Sequence, residues 1–195
     1  MTKARMEAFS DGVIAILITI MVLELRAPEG TGWDALGATL PTLLTYVLSF
    51  VYLGIYWTNH HHMLHATHSI NGAILWANLH LLFWLSLVPF VTGWMGHYHF
   101  AAVPTAAYGV VMVLAAISYT ILQSAIIRHE GPRSKLAAAV KKDVKGKISM
   151  ALYAAAIPLA FVHQLISDAI YVTVALMWFV PDPRIERTEH AEQNA

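Results

Sequence analysis

Six stretches of this chain, roughly residues 6–25, 39–59, 74–93, 103–127, 148–162 and 165–180, are apolar almost throughout. Hydrocarbon offers a backbone no hydrogen-bonding partner, so a segment crossing it must satisfy its own N–H and C=O groups. A helix of about 20 residues does so. The expected fold is an all-α membrane protein with six transmembrane helices per subunit. The last two runs are short and read as a tight helical hairpin turned at His163-Gln164. Pro89 is expected to kink the third run. No stretch repeats another, so residues 1–180 read as a single six-span domain. Composition points the same way, with 57% hydrophobic against 12% charged residues and a mean hydropathy of +0.57. The first run lacks a small-residue cleavage site and reads as a retained helix.

Charge supplies the orientation. Lys3, Arg5, Arg128, Arg133, Lys135, Lys141, Lys142, Lys145, Lys147, Arg184 and Arg187 fall on one side of the six runs, and only Arg26 on the other. Positive-inside bias then places both termini in the cytoplasm, with 60–73 and 128–147 as inner loops and 181–195 as a polar cytoplasmic tail. Residues 136–144 could form a small lysine-bearing interfacial helix. Acidic and basic residues both number 12, so net charge does not suggest nucleic acid, and without cysteine there is no thiolate metal site.

The first run begins with a charged knot, Arg5-x-x-x-Phe9-Ser10-Asp11, and continues as Gly12 to Leu23 with almost no polar group. At about 100° per residue, Ile16, Ile20 and Leu23 lie within roughly 60° of one another, flanked by Gly12 and Thr19. Asp11 lies about 140° away from Ile16 and turns towards neighbouring helices. Periodicity allows two readings of the stripe. It is either an ordinary lipid-facing or bundle face, or a hydrophobic constriction once several copies surround an axis.

Trp57 to His68 is the most unusual composition, with His60, His61, His62, His65 and His68. His61 and His65 share a helix face, as two ligands of a metal would. Against a metal site, no Asp or Glu lies between Asp34 and Glu130. The other reading is a hydrogen-bond network. A carboxylate entering the membrane at Asp11 needs a partner, and imidazoles and carboxamides at the end of the second span and start of the third supply donors. His80 and Asp168 read as structural groups.

Enzyme motifs are missing: there is no HExxH, GxSxG or phosphate-cradling glycine loop. Repeat halves and mid-membrane charges, the marks of a secondary transporter, are absent too. No Thr-Val-Gly precedes Tyr108-Gly109, so the chain has no carbonyl selectivity filter.

Arg5, Phe9, Ser10 and Asp11 opening an Ile/Leu-rich span resemble the start of the bacterial transmembrane-protein-175 family of potassium channels. Trp57, Asn59, His60 and His61, then Trp76-Ala77-Asn78 and Val88-Pro89-Phe90, are similar to later elements of the family. The resemblance covers about residues 5–90 and leaves open which of His60, His61 and His62 aligns. It implies a homotetramer in the plasma membrane, its pore lined by the first helix, with Ile16, Ile20 and Leu23 as the constriction. It further implies that Arg5, Phe9, Ser10, Asp11, Trp57, Asn59, His60, His61 and Asn78 form the network holding that helix. Thr19 is the candidate for preferring potassium over sodium. The expected function is passive, potassium-preferring conduction of monovalent cations across a lipid bilayer, with K+ as permeant ion and no cofactor, catalytic residue, metal or nucleic-acid partner. The alternatives are a histidine-dependent divalent-metal or proton transporter and a non-conducting membrane scaffold.

Overall fold

The computed structural model describes residues 2–140 and 144–179. Lys141, Lys142, Arg184, Arg187 and the tail 181–195 lie outside the described residues. Among those described, the chain is helical without strands: α1 (Lys3–Leu23), α2 (Trp33–His65), α3 (Gly72–Ser86), α4 (Val88–His97), α5 (Ala102–Glu130), α6 (Lys135–Val140), α7 (Val144–Leu159) and α8 (Gln164–Phe179). Four runs are long and apolar enough to cross a membrane: α1, α2, the α3–α4 pair (Gly72–His97) and α5. The final pair, α7 and α8, has 16 residues in each helix, short of that length.

Two local expectations are sharpened. The third run is two helices meeting at Leu87, because Pro89 has no N–H for the Leu85 carbonyl and sits in the first turn of α4. The chain closes α3 with Leu87 N–H on Trp84 O (3.2 Å) and starts α4 with Val91 N–H on Leu87 O (3.2 Å). Second, the histidine-rich segment is not wholly a loop. No Gly or Pro interrupts Ile55–Ala66, and α2 continues to His65. Its 33 residues span about 50 Å, beyond the roughly 30 Å of hydrocarbon, so its ends overhang the apolar run. Of the expected interfacial helix 136–144, residues 136–140 fall in α6 and 141–143 lie outside the described residues.

Helix α1 lies against α2, α3 and α4; α3 runs along α5, α5 along α7, and α2 packs on α4 and α8. Small residues permit the closest approaches. A Cβ on Gly96 would stand 2.8 Å from the Thr42 Cα of α2, and one on Gly109 would strike the Tyr171 hydroxyl of α8. Beside Gly109 four buried tyrosines, Tyr52, Tyr108, Tyr153 and Tyr171, gather from α2, α5, α7 and α8 with ring centroids 5.2 to 6.4 Å apart. The Tyr171 hydroxyl donates to Thr105 O at 2.9 Å, and Tyr52 donates to Tyr171 O.

Candidate functional site: the first helix and its anchor

Helix α1 has two unlike faces. Met6, Ser10, Ile14, Leu17 and Met21, spaced by three and four residues, are buried against the rest of the chain. On the other side Ile16 is 57%, Ile20 43% and Leu23 75% exposed, with Gly12 and Thr19 also open. Thr19 donates its hydroxyl proton to Ile16 O at 2.9 Å, so the oxygen lone pairs remain available on that open face.

The buried face is held by a directed chain of hydrogen bonds. His60 Nε2–H of α2 donates to Asn78 Oδ1 of α3 (2.7 Å), and Asn78 Nδ2–H donates to Ser10 Oγ of α1 (2.9 Å). Ser10 completes it by donating to Met6 O (2.9 Å). Only this amide orientation satisfies every link, because Ser10 has one proton and has given it to its own helix. All three side chains are almost fully buried. One residue on, Asp11 Oδ1 accepts from Trp57 Nε1–H at 2.9 Å. Lys3 Nζ reaches His65 O at 3.2 Å and so ties the start of α1 to the end of α2.

Of the residues singled out from the sequence, the structure thus brings together Ser10, Asp11, Trp57, His60 and Asn78. Four others stand apart. Arg5 and Phe9 are exposed and, among the described residues, make no hydrogen bond to the knot. Asn59 turns back to Ile55 O (2.8 Å), while its own carbonyl accepts from Tyr119 (3.3 Å). His61 is exposed, with its ring 6.4 Å from Trp57 and 6.2 Å from His65. Among the described residues no three His, Cys, Asp or Glu side chains are grouped to hold a metal.

Two further polar groupings were not read from the sequence. Tyr108 donates to Ser49 Oγ (3.1 Å), Ser49 to Thr92 Oγ1 (2.6 Å) and Thr92 to Val88 O (2.7 Å), joining α5, α2 and α4. Hydroxyls scattered through apolar runs are the only trace of this chain in the sequence. The second is a clasp between the α2–α3 loop and the end of α5. Glu130 accepts from His68 N–H (2.8 Å), from the His68 ring (2.8 Å) and from Ser69 N–H (3.4 Å). His129 contacts Ser69 Oγ (2.8 Å) and Asn71 Nδ2 (3.2 Å). Asn71 also caps α3, accepting from Ile74 N–H at 2.9 Å. Glu130 lies beyond the apolar run 103–127. Burial alone would raise its pKa, but the His68 and Ser69 hydrogen bonds outweigh burial and hold the carboxyl below its ordinary value.

An all-helical, multi-pass membrane protein with a first helix buried on one face and bare on the other is the class these observations define. Residues 5–89 match the family model described as the endosomal/lysosomal potassium channel TMEM175. A potassium channel of Chryseobacterium sp. (strain P1-3) is 53% identical over 96% of this chain and 98% of its own length. A potassium channel of Streptomyces collinus is 32% identical over 90% of this chain and 91% of its own. The crystal structure of a lysosomal potassium-selective channel TMEM175 homolog from Chamaesiphon minutus superposes with a TM-score of 0.79 at 28% identity, covering 91% of this chain and 96% of that one. The chain belongs to the TMEM175 potassium-channel family.

Proposed function

We propose that this chain is one subunit of a homotetrameric, potassium-preferring cation channel that conducts passively through the plasma membrane, with six membrane-spanning passes and both termini in the cytoplasm. The two-faced α1 carries the reading. Four copies turning their open faces to a common axis would stack Ile16, Ile20 and Leu23 into hydrophobic rings. Such rings narrow the path and close it by dewetting, without a carbonyl filter. Thr19 would add an oxygen lone pair between the Ile16 and Ile20 rings, its proton being bound to Ile16 O. The chain from His60 through Asn78 to Ser10, with Trp57 on Asp11, sets the rotation of α1 and so decides which face is open. Potassium-channel relatives that match nearly the whole chain support the ion; the resident chemistry is conduction, with K+ as the permeant ion.

Potassium flux into proteoliposomes tests it. Ile16→Asn wets the constriction and is expected to raise flux or lower the potassium-to-sodium ratio. Unchanged flux and ratio would remove Ile16 from the pore. Replacing His61 and His65 by Gln leaves flux intact in this reading; flux that needed zinc and both imidazoles would favour the metal-transporter alternative.

A further inference from the structure

Between α3 and α5, on the outside of the helix bundle, lies an open trough of about 530 Å³. Its floor is built from small side chains, Ala73 and Ala77 on α3 with Ser124 and Ala125 on α5. Ala73 and Ala77 are one turn apart on α3, and the small size of all four residues leaves a gap where larger ones would have closed it. The clasp joining His68, Ser69 and Asn71 to His129 and Glu130 puts the start of α3 beside the end of α5. Ala73 and Arg128 therefore mark one end of the trough, and His80 and Thr120 the other, about 10 to 12 Å deeper by helical rise.

The lining is ordered by depth. Arg128 stands at the shallow end, exposed, just past the apolar run. One turn deeper come the Ser124 hydroxyl on α5 and Trp76 on the α3 rim, which is 75% exposed. Deeper still the wall is Ala77 and Ile121, and the far end is closed by Thr120 and by His80, whose Nε2 accepts from Trp84 Nε1–H at 3.0 Å. A cation, then hydroxyl and indole donors, then an apolar channel is the sequence of groups that an anionic phospholipid presents in complement: phosphate, ester carbonyls, acyl chain. Guanidinium binds phosphate with two parallel hydrogen bonds. Indole is favoured at the depth of the esters. The volume lies in the range of sites that hold small ligands, about 300 to 1,000 Å³.

We infer that the α3–α5 trough is a binding site for one anionic phospholipid of the leaflet on the α2–α3 loop side, with its phosphate on Arg128, its ester region at Ser124 and Trp76, and one acyl chain along Ala77 and Ile121. The site lies away from the open face of α1 and is tested without ion flux.

Native mass spectrometry of the purified full chain, in detergent with equal phosphatidylglycerol and phosphatidylcholine, reads the preference directly. Wild type is expected to retain phosphatidylglycerol about tenfold over phosphatidylcholine. Arg128→Gln should abolish the preference while leaving weak binding of both lipids. Ser124→Trp, at an exposed position, should block the trough and reduce retention of both. Phosphatidylglycerol brominated on its acyl chain should quench Trp76, measured as the difference from Trp76→Phe. An unchanged preference in Arg128→Gln overturns the inference. So does the absence of Trp76-dependent quenching, the result expected if a second copy of the chain covers the trough.

Discussion

Two buried hydrogen-bond chains hold this molecule together, and they are built differently. One runs His60 to Asn78 to Ser10 to Met6 O across α2, α3 and α1. The other runs Tyr108 to Ser49 to Thr92 to Val88 O across α5, α2 and α4. Both end on the carbonyl four residues back in the last helix. The first passes through a carboxamide, whose two ends are chemically unlike, so its direction and each participant are specified. The second is made of hydroxyls, which rotate to suit their neighbours, and it lies beside a tyrosine cluster where packing sets the limits. The lesson is that α1 is secured by chemical identity and the scaffold by shape.

Breaking the scaffold by shape should produce the largest effect on stability. Gly109→Val drives side-chain atoms into the Tyr171 hydroxyl and Ile157, and should cost about 3 kcal/mol, seen as a lower melting midpoint in detergent. Potassium flux per folded protein should stay close to wild type.

Breaking the amide chain comes next. Asn78→Leu leaves the His60 donor buried without a partner and the Ser10 oxygen with no donor to accept from, costing about 2 kcal/mol. Here flux is expected to change more than stability does, since the rotation of α1 is released. If Asn78→Leu and Gly109→Val altered flux per folded protein equally, the distinction between identity and shape would fail.

Tyr108→Phe sharpens the comparison. It removes only the terminal donor of the hydroxyl chain, and Ser49 can still donate to Thr92, so the loss should be about 0.5 to 1 kcal/mol by the same thermal assay.

The smallest effect concerns pH. Neither buried chain contains a carboxylate, whereas the loop clasp does. Glu130 has its folded-state pKa held below the ordinary value. Its contribution is therefore present above the unfolded-state pKa and is lost as pH falls through the lower, folded one. Wild type should lose a small increment of stability on acidification there, and Glu130→Gln should flatten that slope.

Much of this architecture is legible in the residues. Long apolar runs announce the helices, since hydrocarbon leaves the backbone no other choice. Ser10 and Asp11 at the mouth of an apolar run demand partners, and Trp57 and Asn78 are of the right chemistry to be them. Periodicity also separates the Ile16, Ile20 and Leu23 face of α1 from the Ile14, Leu17 and Met21 face. What periodicity cannot do is join one helix to another. Three adjacent histidines look equivalent in sequence, and only the rotation of α2 against α3 selects His60 for Asn78 and turns His61 outward. Asn59 had the right chemistry too, and its side chain instead bonds to its own helix.

By itself, then, the sequence determined a bundle of apolar helices with one polar-headed, two-faced first helix, because burial in hydrocarbon and 100° per residue are local constraints. The tertiary structure alone decided the choice of His60 for Asn78, the hydroxyl chain, the Glu130 clasp and the α3–α5 trough. Each of these depends on how far one helix is turned and shifted against another, a quantity set by the sum of many side-chain contacts and written in no single stretch of the chain.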